Sequence, residues 1–153
     1  MTVKQTYRVV SALIALGVIV QAAAIAFGWF DAILQVEDGA VIDENYDGNA
    51  GHALHGIVGM NVMPLLGLIL LIVSFFAART VPGARKWGGI VFGLIVLQIA
   101  LAILTYILSA SLIGALHGIN ALVLFGAAVK AHLLTRTAVG AAGAPQQGTS
   151  VAV

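Results

Sequence analysis

Apolar residues run through this chain in four long blocks, about residues 9–30, 53–77, 87–109 and 111–134, and polar residues are confined to the gaps between them. Each block is long enough to cross a membrane, since about 20 helical residues at 1.5 Å each span a hydrocarbon core of roughly 30 Å. The pattern predicts an all-α membrane protein, a bundle of four transmembrane helices occupying residues 1–134. The gap at 31–51 mixes Gly, Asp, Asn and Glu and predicts an irregular loop, whereas Thr80, Pro82 and Gly83 mark a tight turn and the gap near Ser109 is very short. From residue 135 to 153 the chain turns to Gly, Ala, Pro, Gln and Ser, a composition too poor in large apolar groups to pack, which predicts a disordered tail.

Composition strengthens the membrane reading: 61% of residues are hydrophobic and only 8% charged, so no soluble domain or nucleic-acid partner is expected. Charge adds an orientation. All Lys and Arg, namely Lys4, Arg8, Arg79, Arg85, Lys86, Lys130 and Arg136, fall at one end of the bundle. All acidic residues, Asp31, Glu37, Asp38, Asp43, Glu44 and Asp47, fall in the single gap at the other end. The bias of basic residues toward the cytoplasm then places both termini inside and the acidic loop outside, in a bacterial cytoplasmic membrane. The first apolar run is longer than the roughly 7–15 residues of a signal-peptide core, so it reads as a span. With no cysteine, any cofactor must be held by other side chains.

An internal repeat gives the first hint of function. Ala53-Leu54-His55-Gly56-Ile57 opens the second block, and Ala115-Leu116-His117-Gly118-Ile119 recurs near the start of the fourth. Upstream, Gly17-Val18-Ile19-Val20-Gln21 resembles Gly93-Leu94-Ile95-Val96-Leu97-Gln98 with one residue inserted. The chain therefore reads as two parallel two-helix repeats about a pseudo-twofold axis along the membrane normal. His55 and His117 then lie at equivalent depth, roughly 6 and 9 Å below the outer helix ends. Ionisable residues at such depth face a bundle interior or cavity and are functional candidates, although a lone histidine is more often an interhelical hydrogen bonder.

Two symmetry-related histidines favour a shared ligand, and haem iron accepts axial imidazoles inside helix bundles. Gly51 and Gly59 lie one turn either side of His55, and Gly114 and Gly118 lie beside His117, clearing space for a flat macrocycle. His52 shares a face with His55 and is a candidate partner for a haem propionate. His132, at the other end, reads as an interface residue. Gln21, Gln98, Asn61 and Asn120 are polar groups in apolar helices and read as packing or supporting hydrogen bonders rather than substrate ligands.

Gln98-Ile99-Ala100-Leu101-Ala102-Ile103-Leu104-Thr105, followed by Ala115-Leu116-His117, resembles the third and fourth helices of one half of haem A synthase. The chain is also similar to an uncharacterised bacterial family of small four-helix membrane proteins carrying the His-Gly-Ile pattern twice. The first resemblance implies a compact four-helix unit in which His55 and His117 face each other across a haem. Where catalytic halves of that family show Glu-x-x-His-Arg, this chain has His52-Ala53-Leu54-His55-Gly56, so glutamate and arginine are replaced by His52 and Gly56. Haem binding survives that difference better than haem modification.

In the acidic loop, Asp43, Asn45 and Asp47 followed by Gly48 match the first half of a calcium loop, but its twelfth position is Leu54. A solvated Asx turn is the favoured reading, with calcium as the alternative. The overall expectation is a b-type haem protein with bis-histidine ligation, serving electron transfer or haem handling on the outer side, and not an enzyme. The alternatives are a haem-modifying enzyme of haem A synthase type and a cofactor-free accessory subunit. Expected partners are membrane lipid, a larger respiratory or other membrane complex, or a second copy.

Overall fold

The computed structural model describes residues 1–140, with side chains through Arg136, so residues 141–153 and most of the expected tail lie outside the described residues. Among the described residues, four helices are long and apolar enough to cross a membrane: Val3–Glu37, Ala50–Ala77, Ala84–Leu108 and Ser111–Arg136, the last continuing as helix to Gly140. Each packs on its neighbours in sequence, and the first closes the ring against the fourth.

Local chemistry sets the ends. Thr2 starts the first helix by a capping box, its hydroxyl accepting from Gln5 N while Gln5 Oε1 accepts from Thr2 N. This helix runs on to Glu37, well into the segment expected as loop. A bond from Gln35 Nε2 to Asp31 one turn earlier supports the extension, and Gly39 follows its end with a φ of 96° that favours glycine. Asn49 caps the second helix, its side-chain oxygen accepting from Gly51 N and His52 N. The third ends at Ser109, a non-glycine residue with a φ of 47°, and the fourth begins at Ser111.

The second helix is not α-helical throughout. Ala50–Ile57 and Met63–Ala77 are joined by a π-helical segment, Val58–Val62. Pro64 explains the widening: it has no N–H for the carbonyl of Met60 and its ring would crowd that carbonyl in an α-helix. Asn61 Nδ2 donates to Ile57 O at 2.9 Å and satisfies a carbonyl at the edge of the distortion.

Burial divides the bundle into two unlike halves. Toward the basic end the core is continuous, with Tyr7, Ile14, Leu70, Val81, Val91 and Ile95 almost fully enclosed. Small residues let the helices close here: a Cβ on Gly88 would stand 2.6 Å from Ser74 Cβ. Tyr7 Oη donates to Ala84 O at 3.3 Å across the bundle. Toward the acidic end, no described residue of the third helix is buried beyond Ile95, and none of the fourth before Asn120. Only the seam between the first and second helices is closed there, by Ala24, Gly28, Ala32 and Gly51.

Candidate functional site

His55 and His117 sit at the floor of the loosely packed half. His55 is the sixth residue of the helix beginning at Ala50, and His117 the seventh of that beginning at Ser111. They project from helices on opposite sides of the ring, and their centroids are 6.3 Å apart with planes inclined at 59°.

The same pair of hydrogen bonds holds each ring. His55 Nδ1–H donates to Gln21 O at 3.0 Å, and Gln21 Nε2 donates back to His55 O at 2.9 Å. His117 Nδ1–H donates to Gln98 O at 3.0 Å, and Gln98 Nε2 donates back to His117 O at 2.9 Å. A carbonyl can only accept, so the proton of each neutral imidazole is on Nδ1 and the Nε2 lone pair is left free. Each imidazole thus reaches the adjacent helix by one nitrogen and offers the other as a metal ligand.

The two grips differ in their next partner. Asn120 Nδ2 donates to Leu94 O at 3.0 Å and also to Gln98 Oε1. Three residues after His55 the corresponding position is Val58, and Gln21 Oε1 is buried with no hydrogen-bond donor.

The glycines have separate surroundings. A Cβ on Gly51 would stand 2.5 Å from Gly28 N and 2.6 Å from Ala24 O, so Gly51 serves the contact between the first two helices. A Cβ on Gly59 would stand 2.5 Å from Gln21 Nε2, so this glycine admits the glutamine amide. At Gly114 the nearest atom would be Thr105 Cγ2 at 3.5 Å, an ordinary contact, and at Gly118 the space is open.

His52 belongs to a polar knot at the outer end. Its Nδ1 accepts from Asn49 N at 3.3 Å, and its ring stands edge-on to Trp29 and Tyr46, with centroids 5.0 and 6.1 Å away. Asn49 Nδ2 donates to Gly28 O and to Asp31 at 2.8 and 2.7 Å. His52 is therefore built into the start of the second helix. Asn49 just before an apolar run is an N-cap signal, but the sequence does not show which residues gather around it. Asp43 closes an Asx turn, its carboxylate accepting from Asn45 N at 2.9 Å. Among the described residues no group of three or more His, Cys, Asp or Glu side chains is placed to hold a metal ion. His132 Nδ1–H donates to Arg8 O at 3.1 Å, joining the fourth helix to the first.

Compared with protein-family models, curated proteins and solved structures, the chain matches none of them.

Proposed function

We propose that the chain is a b-type haem protein of a bacterial cytoplasmic membrane, with His55 and His117 as the two axial ligands. The observation that carries this reading is the close approach of two imidazoles from helices on opposite sides of the ring. A metal bond of about 2 Å from each ring nitrogen, with each ring centre roughly 1 Å further back, spaces the centres of an imidazole–metal–imidazole unit about 6 Å apart. The separation found is 6.3 Å. Two imidazoles leave a metal ion short of ligands, and no third His, Cys, Asp or Glu joins them among the described residues, so a macrocycle that brings its own equatorial nitrogens fits the donor set. The sparsely buried outer half is where such a group would lie, with Gly118 among its small neighbours.

When bound, haem supplies one-electron transfer, and two filled axial positions disfavour oxygen binding. The chain's own residues keep the ligands aimed: the Gln21 and Gln98 carbonyls fix both tautomers, and their amides tie the histidine backbones. His52 is engaged through Nδ1 at the start of the second helix, which weighs against a haem-modifying activity. We read the four helices as one two-helix unit used twice, with both termini in the cytoplasm. The matched Gln–His grips and the separation of charge to the two ends support that topology. Purification from haem-replete cells should give a low-spin haem spectrum with one haem per chain. A colourless, folded protein would overturn the proposal.

A further inference from the structure

The basic end holds a second candidate site, independent of haem. Lys4 and Arg8 lie one turn apart on the first helix, and Arg136 lies one turn beyond His132 on the fourth. The bond from His132 Nδ1–H to Arg8 O clamps these helix ends together. Above the clamp is a cleft of about 540 Å³ lined by Thr2, Lys4, Gln5, Arg8, Thr135 and Arg136.

Three cations thus line one cleft, with no carboxylate side chain at this end among the described residues. The nearest acidic residue in sequence, Asp31, is almost the whole first helix away, about 40 Å from Lys4 at 1.5 Å per residue. Mutual repulsion of the cations favours an anion between them. Two guanidiniums present forked donors that match phosphate oxygens, and the lysine adds a point charge. A span carrying such a cleft holds it at the depth of lipid headgroups, where basic pockets between helices bind anionic lipids.

We propose that this cleft binds a phosphate group, either the headgroup of an anionic phospholipid or a free phosphate anion. The full-length protein in neutral detergent should retain phosphatidylglycerol in native mass spectrometry and be thermally stabilised by it. Phosphatidylcholine, whose phosphate is neutralised by its own ammonium, should do neither. The triple variant Lys4→Gln/Arg8→Gln/Arg136→Gln should bind phosphatidylglycerol at least about tenfold more weakly, since each cation near a headgroup is worth roughly a fivefold change. The control Arg79→Gln/Arg85→Gln/Lys86→Gln removes equal charge at the same end, between the second and third helices, and should weaken binding clearly less than the cleft triple, because it changes only the general attraction of this end for anionic lipid. Stabilisation by inorganic phosphate at matched ionic strength would assign the cleft to the free anion, and its absence to the lipid. Equal losses in both triples, or equal binding of phosphatidylcholine, would overturn the proposal. These readouts are independent of bound haem, so they stand apart from the preceding assignment.

Discussion

In the hairpin of the third and fourth helices, the second hairpin, the Gln98 side chain gives its amide to His117 O and receives Asn120 at its oxygen, whereas in that of the first and second helices, the first hairpin, Gln21 gives its amide to His55 O and receives nothing. Val58 follows His55 by three residues, as Asn120 follows His117. The hairpins also differ in their connections, Asp38 to Asn49 in one and Ser109 to Ala110 in the other. What both keep is the bidirectional tie between one glutamine and one histidine; the partners around that tie vary. Conserving the grip while varying its surroundings implies that the shared requirement is imidazole orientation, and that each hairpin meets it with its own stability.

The largest expected effect breaks both hairpins alike. His55→Ala and His117→Ala should each lose haem or convert it from low to high spin, read from the visible spectrum. Retention of the full low-spin signal in either variant would show that its histidine is not a ligand. Next is Gly51→Ala, where the new methyl meets backbone of the first helix instead of a yielding side chain. A cost of about 2–3 kcal/mol in thermal unfolding is expected, against near neutrality for Gly118→Ala. Gln98→Leu removes a bond and strands part of Asn120, so it should cost about 2 kcal/mol, whereas Gln21→Leu also removes an orphaned acceptor and should cost about 1 or less. Equal losses would erase the asymmetry. Val58→Asn supplies the missing donor and should raise stability by about 0.5–1 kcal/mol. Smallest is Ser109→Gly, which relieves a left-handed residue and should add about 0.5 kcal/mol.

The four spans and the two facing histidines were legible in the sequence, because span length and an identical pentapeptide are visible without knowing any contact. The way Gln21 and Gln98 hold their histidines was not. In lipid the outward face of a helix is as apolar as its inward face, so periodicity does not say which side of Leu97 or Gln98 meets a neighbour. The extension of the first helix through Asp31 was hidden for a different reason. Its support is the carboxylate's bonds to Gln35 and to Asn49, the latter far along the chain. The glycines beside His55 read in sequence as space for a ligand, and composition alone does not tell that space from the close helix contact at Gly51 or from the opening for the Gln21 amide at Gly59.

The π-helical segment has a consequence for how the two hairpins align. Buried Tyr7, Ser11, Ile14 and Val18 each precede Ala84, Gly88, Val91 and Ile95 by 77 positions, the same spacing as Gln21 to Gln98. The residue inserted between the first and third helices in the linear comparison is therefore absent from their buried faces. In the second and fourth helices the histidines are 62 positions apart, yet the buried residues Met63, Gly67, Leu70 and Ser74 match Leu124, Ala128, Ala131 and Thr135 at a spacing of 61. The second helix has one residue more between His55 and Met63 than the fourth has between His117 and Leu124, and Val58–Val62 winds wide enough to absorb it. In an α-helix that extra residue would swing everything before it by about 100°, carrying His55 out of the bundle. The wide turn thus lets two helices that differ by one residue between histidine and core bring His55 and His117 within 6.3 Å of each other.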